Sequence, residues 1–84
     1  MQINETSDKA PFPLAMAQEG EKVNISLLRG GKGLEKRLTS LGLNVGSELT
    51  VLQRQGGNLV VIRGETRVAL GVGMAQKIMV TLLQ

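Results

Sequence analysis

At 84 residues and a net charge of +3, the chain has room for one small, mildly basic domain. It holds neither histidine nor cysteine, which excludes Ser-His and Cys nucleophile chemistry, zinc sites of the usual nitrogen and sulfur type, and any disulfide framework. Phe12 is the single aromatic residue, so stacking platforms for single-stranded nucleic acid, proline-rich ligand grooves and methyl-lysine cages all lack their walls.

Residues 1–13 are mostly polar, with Ile3, Ala10 and Phe12 as scattered apolar groups, and are expected to form a flexible tail ahead of a folding unit at residues 14–84. Charges and two prolines interrupt this region, so direct membrane insertion is not expected and a cytoplasmic location is the default. Val23, Ile25 and Leu27 alternate with Lys22, Asn24 and Ser26, which predicts a first strand over 22–28 with those three apolar residues on one side. Leu34, Leu38 and Leu41 then recur at i, i+4 and i+7. They form one apolar stripe of a helix whose other side carries Lys36 and Arg37. Gly42 is placed to take the left-handed conformation that ends a helix, with Leu43 meeting Leu38 as in a Schellman stop, and Val45-Gly46 fits the centre of a type II turn. Gly42 and Gly46 are therefore structural turn residues.

Further strands are predicted over 48–54, 59–63, 66–70 and 77–83, with Ile78, Val80 and Leu82 on one side of the last. Gly56-Gly57 and Gly64-Glu65 suit tight hairpins, and 71–76 suits one short helical turn. The fold expected is mainly β: a small SH3-like antiparallel barrel of about five strands with one short helix after the first.

Several runs carry a wider likeness that extends from Pro13 through Val80. They are Pro13-Leu14, Glu19-Gly20-Glu21-Lys22-Val23, Leu34-Glu35-Lys36-Arg37-Leu38-Thr39-Ser40-Leu41-Gly42-Leu43 with Val45-Gly46, Arg67-Val68-Ala69-Leu70, and Ala75-Gln76-Lys77-Ile78-Met79-Val80. Together they resemble the ferrous iron transport protein A family, which usually has Pro where Val45 stands; Val tolerates that first central turn position. The resemblance implies a cytoplasmic, noncatalytic accessory or regulatory protein of ferrous iron uptake. Its implied partner is the cytoplasmic GTP-binding part of the membrane iron transporter. The same domain also forms the C-terminal module of iron-dependent repressors, so a repressor-type module or a basic nucleic-acid-binding barrel is the alternative.

The residues themselves point away from catalysis. Glu19, Glu21, Glu35, Glu48 and Glu65 are scattered, so neither a metal site nor a cofactor is expected. Arg29-Gly30-Gly31-Lys32-Gly33 ahead of a helix has the topology of a phosphate loop, but Lys32 is followed by Gly33 and Leu34 rather than Ser or Thr. Gly71-Val72-Gly73-Met74-Ala75-Gln76 begins like a dinucleotide fingerprint yet ends in Gln76 and has no crossover helix to follow. Both read as turns. Arg29, Lys32, Lys36 and Arg37 around the helix start are the candidate partner-binding residues, set against the plainer reading of a solvated helix face. Nucleic acid is not the expected partner, for want of aromatic rings. Adjacent apolar pairs such as Leu27-Leu28, Val51-Leu52 and Ile78-Met79 must point to opposite faces of a strand. An outer set with Leu28, Leu52, Met79 and Leu83 is thus expected, covered by the helix and residues 14–18 or by a partner or second copy.

Overall fold

The computed structural model of the chain describes residues 10–83. One sheet contains six antiparallel strands: β1 Phe12–Pro13, β2 Lys22–Leu28, β3 Glu48–Gln55, β4 Asn58–Arg63, β5 Thr66–Gly71 and β6 Ile78–Leu82. Their spatial order is β1-β6-β2-β3-β4-β5. A 3-10 turn, Leu14–Met16, follows β1; helix α1, Gly31–Ser40, joins β2 to β3; a single helical turn, α2, Val72–Ala75, joins β5 to β6.

Alternating side chains send Val23 and Ile25, Leu49 and Val51, Leu59 and Val61, Val68 and Leu70, and Ile78 and Val80 into one core, which Leu14, Ala17, Leu38, Leu43 and Ala75 complete. Register shifts between Ile25 and Leu27 and between Val51 and Gln53 insert one residue each into β2 and β3. Such bulges bend a strand and raise its twist, which lets the sheet wrap around its own inner face. β1 and β5 end the sheet without pairing to each other. The gap is bridged instead by α2, which touches β4, β5 and the 3-10 turn, while the 3-10 turn touches β6. The result is a partly open barrel.

The structure departs from the sequence reading at four places, each with a local cause. Ordered pairing starts ahead of Leu14, because Phe12 pairs with Val80 and packs against the core while Pro13 pairs with Met79. Residues 1–9 of the expected tail lie outside the described residues. The bulge after Ile25 reverses the alternation in β2, so Leu27 is 41% exposed and Leu28 packs against the core instead. Leu41 is 39% exposed because α1 has ended by that residue, and the chain turns Leu43 inward in its place. At the other end of the sheet, Leu82, at the end of β6, is 38% exposed rather than on the core side, whereas Met79, paired beside Pro13 and outside the core cluster, is covered within the domain as expected of the outer set.

Candidate functional site

Helix α1 sets out most of the candidate residues, and its two ends are built very differently. At the C-terminal end Gly42, with φ of 82°, donates its N–H to the Thr39 carbonyl at 2.9 Å, and Leu43 donates to the Leu38 carbonyl at 2.8 Å. That is the paired bonding of a Schellman stop, and it leaves Leu38 and Leu43 buried together. The following turn is closed by the Ser47 N–H on the Asn44 carbonyl at 2.9 Å, with Gly46 at φ 96°. It is fastened to β2 by the Gly46 N–H on the Ile25 carbonyl (2.8 Å) and by Asn24 Nδ2 on the Gly46 carbonyl (3.1 Å). These bonds fix the direction in which α1 leaves the sheet.

The N-terminal end has none of this support. Gly30 occupies the cap position and makes no side-chain bond, and the first turn carries no acidic residue. Lys32 sits there instead, where the partial positive charge of the exposed N–H groups disfavours a cation.

Arg29, Lys32, Lys36 and Arg37 are all exposed. At about 100° per residue, Lys32 and Lys36 stack one turn apart, on the side away from Leu34 and Leu38, while Arg37 lies a further ~100° around on the flank. Arg29 stands just before the helix, and its N–H donates to the Lys77 carbonyl at 2.8 Å. The helix entrance is thereby brought beside a fifth basic residue that is distant in sequence. At the opposite end, Arg63 from β4 lies over Gly42: a Cβ there would sit 2.8 Å from its Nε and 2.8 Å from its Nη2. Lys77 and Arg63 extend the basic surface along both ends of α1. Neither carries a sequence signal for this, since only strand pairing brings them to the helix.

Arg54, by contrast, is a fastening. Its Nη2 donates to the Ala15 carbonyl at 2.5 Å and the Ala17 carbonyl at 2.7 Å, and its N–H donates to Glu19 Oε2 at 3.2 Å. Those bonds tie the 3-10 segment to β3. No group of three or more acidic side chains converges on a common point among the described residues. A cleft of about 160 Å³ between Lys22, Glu48, Leu49, Thr50, Ile62, Gly64 and Leu83 is smaller than the ~300 Å³ at which small-molecule pockets begin. Among the described residues, no helix is long and apolar enough to cross a membrane.

Comparison with known proteins gives concordant results. The family model described as the FeoA domain matches residues 12–82. A protein of Methanocaldococcus jannaschii named "Putative Fe(2+) transport protein A" is 42% identical over 69 residues, covering 82% of this chain and 84% of that protein. A crystal structure of an iron uptake regulatory protein (FeoA) superposes with a TM-score of 0.81 at 31% identity, over 88% of this chain and 99% of the other. A manganese-dependent transcriptional repressor superposes with a TM-score of 0.80 at 24% identity, over 89% of this chain but only 43% of the repressor, a likeness of fold alone.

Proposed function

Because the chain belongs to the FeoA domain family, we propose that it is a noncatalytic accessory or regulatory protein of ferrous iron uptake that works in the cytoplasm and docks on the GTP-binding part of the membrane iron transporter. The observation that carries the docking reading is Lys32. A cation placed in an uncapped first turn opposes the helix dipole, where a solvated helix face would favour Asp or Glu. Its position is accounted for by an acidic surface on the partner, reached together with Lys36 on the same side and with Arg29, Lys77 and Arg37 around it. Arg29, Lys32, Lys36 and Arg37 are accordingly the proposed contact residues.

A module of this kind regulates by binding two states of its partner unequally, since a ligand shifts an equilibrium only through differential affinity. The test is capture of the isolated chain by the transporter's purified cytoplasmic domain, with and without guanine nucleotide. Binding is expected in at least one nucleotide state, with affinity lowered roughly tenfold or more by the double variant Lys32→Glu and Lys36→Glu. Absence of binding in every nucleotide state would overturn the proposal.

A further inference from the structure

The sheet has two free edges, and they are finished in opposite ways. β1 is two residues long and includes Pro13, whose nitrogen has no hydrogen to offer. β5 is six residues long, holds neither proline nor lysine, and pairs with β4 through six consecutive residues without a register shift. In a hairpin with a two-residue loop, the flanking pair exchanges hydrogen bonds, here Arg63 with Thr66. It follows that Thr66, Val68 and Leu70 direct their N–H and C=O groups to β4, that Arg67 and Ala69 direct both of theirs to the open edge, and that Gly71 offers only its N–H there, because its C=O caps α2 as the first intrahelical acceptor. Among the described residues, no backbone hydrogen bond from beyond this hairpin reaches Arg67 or Ala69.

From this edge we infer that β5 pairs with β5 of a second copy of the chain, antiparallel and centred on Ala69. In that register, Ala69 exchanges both bonds with its counterpart, and Arg67 lies opposite Gly71 of the other copy, whose N–H donates to the Arg67 carbonyl. Centring on Arg67 would instead place two like charges face to face. The side chains suit the same arrangement. Ala69 shares a cross-strand row with half-buried Val60, so the junction joins two apolar rows across the outer face, and Gly71 leaves space for the long Arg67 side chain. A single short strand from each copy makes this a weak dimer, with dissociation expected on the order of 0.1 mM. It lies on a different element from α1 and is independent of the docking proposed above.

Analytical ultracentrifugation of the full chain from about 10 μM to about 1 mM tests this. Wild type is expected to pass from monomer to dimer across that range. Ala69→Pro removes an edge donor that β4 does not use and should weaken association by at least ~10-fold. Gly71→Glu sets a carboxylate opposite Arg67 of the other copy, at a backbone φ of −64° and with nothing within 4 Å of the new Cβ. It should tighten association several-fold at low salt, and the gain should vanish at high salt. Should Ala69→Pro fail to fold, the salt-dependent gain of Gly71→Glu still decides the matter. A strict monomer at the highest concentration, a dimer insensitive to Ala69→Pro, or one weakened by Gly71→Glu would each overturn the inference. So would a monomer whose capture by the transporter domain is lost in Ala69→Pro, which would assign the edge to that partner instead.

Discussion

Gly42 and Gly46 both hold positive φ within five residues of each other, yet only one of them also makes room for a neighbour. Alanine at Gly46 meets nothing within 4 Å, so its cost is the left-handed backbone alone, about 1 kcal/mol. Alanine at Gly42 bears that same strain and in addition displaces the Arg63 guanidinium, which lies 2.8 Å from the new Cβ. Because that guanidinium ends a flexible, exposed side chain that can swing away, urea denaturation is expected to show a loss for Gly42→Ala only a few tenths of a kcal/mol above the ~1 kcal/mol for Gly46→Ala. The difference between the two should shrink when Arg63→Ala is combined with Gly42→Ala. Equal losses with Arg63 present would mean that the arginine moves aside freely. At this scale the turn chemistry was readable in advance, because Gly42 directly follows a leucine-spaced helix. Arg63 was not, since it is 21 positions away and meets Gly42 only through the sheet.

Helix α1 is held from its C-terminal end and its buried stripe, and is left weak at its N-terminal end. Lys32→Glu should therefore raise thermal stability, by about 0.5 kcal/mol, because a carboxylate in the first turn suits the helix dipole. The same change should lower affinity for the transporter domain. Opposite signs in the two measurements are what a contact residue gives, whereas a merely solvated lysine would gain stability with no loss of binding. The elements themselves were largely legible. Glycines at each hairpin loop and a 3.6-residue leucine spacing mark local geometry that tertiary packing had no reason to override. The misreadings share one cause. A regular period carried past a bulge or a helix end puts Leu27 and Leu41 inward, and an inserted residue leaves no mark in an apolar run. β1 carries no sequence signal for the opposite reason, since two residues, one of them proline, have no period at all.

The described part of the molecule is a small curled sheet with one helix laid along a side; Lys22, Arg54 and Arg67 lie on the strands, while Arg29, Lys32, Lys36, Arg37, Arg63 and Lys77 lie on or near that helix. Docking on a partly apolar protein surface through such a face should lose less than about tenfold in affinity between about 50 mM and 200 mM salt, measured by titration calorimetry. A contact with a nucleic-acid backbone would fall by about 10³ or more over the same interval, which would move the chain toward the repressor-type alternative. The candidate site was half legible from sequence. Arg29, Lys32, Lys36 and Arg37 cluster along the chain, whereas Lys77 joins them only because its carbonyl receives the Arg29 N–H. The pairing of β1 with β6 has a mechanical consequence as well. Phe12 lies opposite Val80 and Pro13 opposite Met79, so the incoming and outgoing chain leave the barrel side by side. Tension drawing those two leads apart would load that ladder one rung after another, as a zipper rather than in shear, and the domain would begin to come open at its shortest strand.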